Sequence, residues 1–300
     1  MKNVSVIDLG SNSVRMSIVD TETGKLLLNL KEAVRLSEGM NTDMILREEA
    51  QKRTAYAMKQ FIEISNRAKC VKIIAVATAA VRKAKNREEF LKRVQTDCGI
   101  SIRVLSGEEE SEYDFLGVSA ATGIESGLVL DIGGGSIEII GAKDGKLTNC
   151  KSIQIGSRSI AELFFGKGET EEAKEAACHY MRSEFEKERW IFEFSGMPIV
   201  GIGGTIRTAA KILMAEHGGN ADGLIEKFEA SADDFFEIYK KTEGLTEEER
   251  QKMNGMTPDR KGIFLSGLIP FKEILEMVRP RTVYVSDAGL RDGIIAEIRR

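Results

Sequence analysis

The chain has 300 residues, of which 42% are hydrophobic and 30% charged, a composition typical of a globular protein of about two domains. Its formal net charge of −4 argues against general binding of nucleic acid, so any polyanion must be held by a local site. No apolar run approaches the roughly 20 residues that span a bilayer and the N-terminus does not resemble a signal peptide, so we expect a cytoplasmic protein.

The first half of the chain predicts the element order βββαβαβα from its apolar periodicity and turn residues. The expected elements are strands at 4–9, 14–19 and 26–34, a helix at 48–69, a strand at 71–77, a helix at 86–98, a strand at 100–105 and a helix at 106–121.

The second half predicts the same order with extra helices inserted. The expected elements are strands at 128–132, 136–140 and 146–155, helices at 157–165 and 170–194, a strand at 198–202, helices at 205–216, 231–241, 246–252 and 262–278, a strand at 282–285 and a helix at 289–299. The sequence therefore indicates an α/β protein.

Each half opens with a similar motif, in which an aspartate near the end of a strand precedes a glycine- and serine-containing turn. Asp8 and Asp131 are the two aspartates, 123 residues apart. A repeat of this size indicates a duplicated domain. We predict domains at residues 1–124 and 125–300, with the last helix able to pack on the first, and a ligand-binding cleft between them.

The two turns favour a phosphate site. Their small residues expose successive backbone N–H groups, which can surround a phosphate, and the neighbouring aspartate can hold a divalent cation. One such turn alone is more often a simple hairpin connection. The segment Gly203-Gly204-Thr205 joins a predicted strand to a predicted helix, whose N-terminus also favours an anion; close packing of glycine under the helix is the alternative.

Acid–base chemistry is expected from carboxylates, since the chain has only two histidines and its four cysteines form no metal-binding pattern. The acidic run Glu108–Glu110 starts a predicted helix, where acidic residues are also typical of capping. Periodicity does not decide which glutamate faces a cleft. The basic run from Arg82 to Arg87 follows a strand, and it either holds a polyanion or forms a solvated face.

Together these motifs make the chain similar to the exopolyphosphatase and guanosine pentaphosphate phosphohydrolase (Ppx/GppA) family. The resemblance is carried by Ile7 to Ser13, Ala77-Thr78 with Arg82, Ser106-Gly107 with Glu110, Asp131 to Glu138, Gly201 to Thr205, and Val285 to Gly293. It implies two actin-like (ribonuclease H-like) domains with an interdomain cleft. It also implies hydrolysis of a terminal phosphoanhydride by an activated water, with Mg²⁺ or another divalent cation.

The resemblance further implies a role for each matching residue. Glu110 matches the family's catalytic glutamate, Glu138 a second carboxylate that helps to position water, and Asp8 and Asp131 the metal-binding aspartates. The residues implied to hold phosphates are Asn12, Ser13, Arg82, Gly133, Gly134, Gly135, Ser136, Gly203, Gly204 and Thr205.

Several functions remain open on the sequence alone. Inorganic polyphosphate is favoured over guanosine pentaphosphate as substrate, because no residue pattern identifies a guanine pocket. A small-molecule kinase and a non-enzymatic phosphate or nucleotide sensor are alternatives on the same type of fold. The family resemblance suggests a homodimer, and neither nucleic acid nor a membrane is expected as a partner.

Overall fold

A computed structural model describes residues 2–40, 43–219, 225 and 228–299. The chain divides into two compact units, the first comprising residues 1–117 and 290–300 and the second residues 118–289. The sequence analysis placed the boundary a few residues later, at residue 124. Within the described ranges, no helix is both long and apolar enough to cross a membrane.

The first unit contains a five-stranded mixed sheet of order β3-β2-β1-β4-β5. Its strands are β1 (Asn3–Leu9), β2 (Val14–Asp20), β3 (Leu26–Glu32), β4 (Lys72–Ala77) and β5 (Ile102–Val104). Its helices are α1 (Glu48–Arg67), α2 (Ala79–Lys83), α3 (Arg87–Cys98), the larger part of α4 (Gly107–Thr122), and α11 (Leu290–Ile298) from the end of the chain.

Both faces of this sheet are covered, which explains why five of the seven residues of β1 are buried. Ile7 and Leu9 belong to a core that includes residues of α1 and α3, whereas Val4 and Val6 pack with residues of α4 and α11. Side chains alternate between the faces of a strand, so Asp8 lies on the same face as Val4 and Val6. This face is the one that α11 covers.

The second unit contains a six-stranded mixed sheet of order β10-β11-β9-β6-β7-β8. Its strands are β6 (Gly127–Ile132), β7 (Ile137–Lys143), β8 (Lys146–Ile153), β9 (Ile199–Ile202), β10 (Phe228–Ala230) and β11 (Val283–Val285). Its helices are α5 (Ser157–Phe164), α6 (Glu171–Glu186), α7 (Gly204–Glu216), α8 (Ala232–Glu243), α9 (Glu247–Arg250) and α10 (Phe264–Val278), with 3₁₀ helices at Arg189–Phe194 and Pro258–Arg260.

The order β8-β7-β6-β9-β11 repeats the order β3-β2-β1-β4-β5 of the first unit, and in both sheets the second strand runs antiparallel to the first. The predicted duplicated, actin-like α/β fold is therefore confirmed. Helix α2, strand β10 and the 3₁₀ helix Pro258–Arg260 were not predicted. The helix expected over 170–194 is split into α6 and a 3₁₀ helix.

Candidate active site

The first glycine turn, Gly10–Ser13, connects β1 to β2 and is held by a neighbouring loop. The N–H of Ser37 donates to the Ser11 carbonyl over 3.0 Å, and the N–H of Arg35 donates to the Asn12 carbonyl over 2.8 Å. In a trans peptide the N–H points opposite to the preceding C=O. The N–H groups of Asn12 and of the residue after it therefore point away from this loop.

The second turn, Gly133–Ser136, connects β6 to β7 and has the same closing hydrogen bond. The N–H of Gly133 donates to the Ser136 carbonyl over 3.0 Å, as the N–H of Gly10 does to the Ser13 carbonyl over 3.1 Å. The two motifs that predicted the duplication therefore also form equivalent turns.

The carbonyls of the second turn bind the start of α5. The N–H of Ser157 donates to Gly133 and the N–H of Arg158 donates to Gly134, each over 2.9 Å. The N–H groups of Gly134 and of the next residue consequently point away from α5. At Gly156 a Cβ would lie only 2.6 Å from the Gly133 oxygen, so glycine is needed there for this close approach.

Asp131 and Glu138 lie side by side in the second unit. They are cross-strand partners in the β6–β7 pair, and one carboxylate oxygen of each lies within 4.8 Å of the other. Glu138 is buried, and its Oε1 accepts a hydrogen bond of 2.7 Å from the Ser152 hydroxyl on β8. That hydroxyl in turn accepts from Gln154 Nε2 over 2.8 Å, so a short polar chain fixes the position of Glu138.

The third glycine segment approaches the same carboxylates. Gly203 has a φ of +92°, in a region that residues with a Cβ rarely adopt. A Cβ at this position would lie 2.5 Å from Asp131 Oδ1 and 2.7 Å from the Ile132 carbonyl oxygen. Glycine at position 203 thus allows the turn between β9 and α7 to lie directly beside Asp131.

The next two predicted phosphate-binding residues have different surroundings. A Cβ at Gly204, the first residue of α7, would overlap the guanidinium of Arg260, which is itself buried. Thr205 is fully buried, and its side chain packs where Gly267 of α10 leaves room. The Thr205 side chain therefore contributes to helix packing, and only the backbone of this segment is suited to contact an anion.

In the first unit the structure brings together Arg82 and Glu110. Arg82 Nη1 donates to Glu110 Oε2 over 2.8 Å and to the Leu105 carbonyl over 2.9 Å. The side chains are only 17% and 9% exposed. Arg82 Nη2 is buried and finds no hydrogen-bond partner among the described residues. Arg82 was predicted as a phosphate ligand, and it also positions the predicted base.

The three glutamates at the start of α4 have different environments. Glu108 is exposed. Glu109 accepts a 2.8 Å hydrogen bond from the N–H of Ser106 and forms an ion pair with Arg103. These partners hold the pKa of Glu109 below its ordinary value, the Ser106 hydrogen bond most strongly. Glu109 therefore caps the helix, and Glu110 is the buried member of the group.

Asp8 lies among positive charges. It is the register partner of Arg15 on β2. Burial raises the pKa of the Asp8 carboxyl, while the charges of Arg291 and Arg15 act in the opposite direction. Arg291, on α11, is buried and donates to the Ser17 hydroxyl and to Asn29 Oδ1, each over 2.7 Å.

Two further buried groups were not among the predicted site residues. Asp114 lies one turn after Glu110 on α4, and Arg260 lies against the start of α7. The spacing of Asp114 from Glu110 was visible in the sequence as a shared helix face. Nothing in the sequence near Arg260 indicated its proximity to Gly204, because this contact joins segments 56 positions apart.

Two copies of one α/β fold, each with a strand-ending aspartate and a glycine turn, are typical of proteins that handle phosphoryl groups. The chain belongs to the Ppx/GppA phosphatase family, whose model matches residues 7–299. It is a hydrolase that acts on phosphoanhydrides, and enzymes of this family generally depend on a divalent cation.

Solved structures agree with this assignment over nearly the whole chain. An exopolyphosphatase from Cytophaga hutchinsonii is 26% identical with a TM-score of 0.92, and the match covers 99% of this chain and 98% of that one. The Ppx/GppA family member from Aquifex aeolicus is 28% identical with a TM-score of 0.81, covering 99% and 97% of the two chains.

Proposed function

We propose that this enzyme removes the terminal phosphate of inorganic polyphosphate by attack of a water molecule, with Glu110 as the base. The observation that carries the proposal is the buried Arg82–Glu110 pair. One guanidinium nitrogen fixes the carboxylate, and the other is left without a partner among the described residues, where an anion could be bound.

Glu110 suits the role of base better than its neighbours. Its carboxylate is buried and held in place by Arg82, so it is positioned to accept a hydrogen bond or a proton from water. Glu109 is already engaged in capping and Glu108 is exposed. Phosphoryl transfer needs mainly positioning and charge neutralisation, and a fixed carboxylate can orient the attacking water.

Backbone N–H groups of each turn are assigned to hold phosphates, and so is Arg82 in the first unit. In each turn the neighbouring segment donates N–H groups to the turn carbonyls, so the opposite side of those peptides presents N–H groups. Asn12, Ser13, Gly133, Gly134, Gly135 and Ser136 are the turn residues assigned this role. Gly203, Gly204 and Thr205 would contribute through the backbone at the start of α7.

The carboxylates of the second unit fit a divalent cation. Asp131 and Glu138 offer oxygen ligands within 4.8 Å of each other, and a Cβ at residue 203 would occupy the space beside Asp131 Oδ1. Mg²⁺ prefers such oxygen ligands and would neutralise charge on the phosphates when bound. We assign Asp131 in the second unit and Asp8 in the first as metal-binding aspartates, each directly or through water.

Glu138 is assigned to position the attacking water. Its carboxylate is buried and one of its oxygens is fixed by Ser152. A carboxylate held in this way can orient a water molecule without itself moving.

We favour polyphosphate over guanosine pentaphosphate as the substrate, because the similar structure with a TM-score of 0.92 is named an exopolyphosphatase. Guanosine pentaphosphate is the alternative. The test is phosphate release by the purified protein with Mg²⁺ from long-chain polyphosphate, tripolyphosphate, guanosine pentaphosphate and ATP. The highest kcat/KM with polyphosphate is expected. A higher value with guanosine pentaphosphate would assign the enzyme to the alternative, and transfer from ATP to an added alcohol would indicate a kinase.

A further inference from the structure

The second unit contains a cavity of about 600 Å³ that the proposed function does not use. It lies beside the C-terminal end of α10 and the N-terminal end of α8. Its principal lining residues are Arg182, Phe236, Leu275, Arg279, Pro280 and Arg281. This volume is within the range of pockets that bind small organic molecules.

One of the arginines, Arg182, is held by two glutamates, of which Glu273 is buried and Glu276 is half-buried. Arg182 donates to Glu273 Oε2 over 2.7 Å and also forms an ion pair with Glu276, while the Glu273 side chain is only 2% exposed. Lys272 contacts the same two glutamates, at 3.0 and 2.9 Å. Two cations therefore neutralise the two glutamates, and the outer part of the Arg182 side chain, which is 41% exposed, lines the cavity.

The other two arginines are not neutralised in this way. Arg279 and Arg281 are exposed, and neither side chain forms an ion pair or hydrogen bond with any residue in the described ranges. Asp233 is the remaining carboxylate of the lining. The cavity therefore carries an excess of positive charge, in a protein whose overall charge is negative.

Arg279 also has an unusual backbone conformation. It caps the C-terminus of α10 with a φ of +46°, a position where glycine is the favoured residue. A residue with a Cβ is strained there, and such strain is often retained where the side chain has a function. After the left-handed Arg279 the chain continues into Pro280 and Arg281, which also line the cavity.

The other wall is apolar. Phe236 is partly buried against the core, and Leu275 and Pro280 lie on the same lining. Guanidinium groups favour phosphate oxygens because they can form paired, charge-assisted hydrogen bonds. An aromatic ring beside them suits a planar, apolar group on the same ligand.

We propose that this cavity binds a nucleoside phosphate, with its phosphates on Arg279 and Arg281 and its base against Phe236, as a ligand distinct from the substrate.

A reporter at the cavity tests this directly. Phe236→Trp places an indole in the lining, and its fluorescence is compared with that of the parent, whose single tryptophan is Trp190. The probes are ADP and inorganic tripolyphosphate, both added with EDTA so that no turnover occurs. We expect ADP to change the fluorescence of the tryptophan at position 236. When Arg279→Ala and Arg281→Ala are introduced as well, the affinity for ADP measured by this change should fall about 100-fold.

Equilibrium dialysis of labelled ADP covers the case in which Phe236→Trp disturbs folding. Arg279→Ala/Arg281→Ala should lose one bound equivalent per chain, whereas Arg189→Ala, an exposed arginine elsewhere in this unit, should keep it. Phosphate release without nucleotide should be equal in all three proteins. Equal ADP binding by the double variant would overturn the proposal, and so would tripolyphosphate binding this site as tightly as ADP. Because binding is measured without turnover, these results do not depend on the proposed reaction.

Discussion

Arg82 has two tasks in this account, and both depend on its fork of nitrogens. Nη1 holds Glu110 and the Leu105 carbonyl, while Nη2 is assigned to a phosphate. Lysine has a single charged nitrogen and cannot serve all three groups. An Arg82→Lys variant therefore distinguishes a role in phosphate binding from a purely structural ion pair with Glu110.

We therefore expect Arg82→Ala to lower kcat/KM for polyphosphate by about 10²-fold or more, with Arg82→Lys recovering little of it. Arg87→Ala is the matched control, since that exposed arginine pairs only with its neighbour Glu88 among the described residues. Steady-state phosphate release measures the effect. Full activity of Arg82→Lys would show that charge alone is sufficient.

Ser152 offers a second test at the residue scale, because its hydroxyl donates a hydrogen bond to Glu138 Oε1. Ser152→Ala should lower kcat about tenfold, since hydrogen bonds to charged groups contribute roughly 1.5–3 kcal/mol. Thr148→Val on the same strand removes a hydroxyl that donates to the Gly141 carbonyl and should leave kcat unchanged. Equal kcat in both variants would argue against a positioning role for Glu138.

At the scale of elements, the contact between α5 and the second turn leaves no room for a Cβ at position 156. Gly156→Ala would place a Cβ 2.6 Å from the Gly133 oxygen and 2.7 Å from the Gly135 nitrogen, so the turn must shift. We expect activity to fall at least about 10²-fold, because small misplacements of binding groups cost that much. Gly244→Ala, with its nearest neighbouring atom at 3.8 Å, should retain activity.

Circular dichroism distinguishes loss of the turn from loss of the fold. Gly156→Ala should keep its secondary structure and unfold cooperatively. Normal activity in this variant would mean that the position of the turn is not critical.

Helix α4 gives a pH-dependent prediction. The pKa of Glu109 is lowered in the folded state by the Ser106 hydrogen bond and then by Arg103, so its charge stabilises the fold at neutral pH. This contribution is present above the ordinary value of 4.5 and disappears as the pH falls through the lower folded value. Wild type should therefore be more stable than Glu109→Gln at pH 7, and the difference should disappear once the pH lies below the folded pKa of Glu109.

Urea unfolding of both proteins across this pH range measures the difference. Because Glu109 is partly exposed, we expect it to stay below about 1 kcal/mol. A difference that grows on acidification would contradict the assigned cause.

At the scale of the whole molecule, the duplication was predictable because the two turn motifs and the element order repeat in the sequence. Strand β10 was not, since its three residues are defined by pairing with β11, which lies far along the chain. Helix α2 is a five-residue segment, too short for helical periodicity to show.

The candidate site was predictable in its residue types but not in its contacts. Three adjacent glutamates look alike in the sequence. Only folding separates Glu110, beside Arg82, from Glu109, beside Arg103. The packing of Thr205 under Gly267 depends likewise on two helices brought together by the core of the second unit. Such non-local contacts have no local signal in the sequence.

The most direct test of the account is phosphate release from long-chain polyphosphate by Glu110→Gln, with Glu108→Gln as the matched control on the same helix. Loss of a general base typically costs about 10²–10⁴-fold, so we predict that fall in kcat for Glu110→Gln and unchanged kcat for Glu108→Gln. Both variants should show the same Mg²⁺-dependent binding of polyphosphate. Near-normal turnover by folded Glu110→Gln would contradict the assignment of Glu110 as the base.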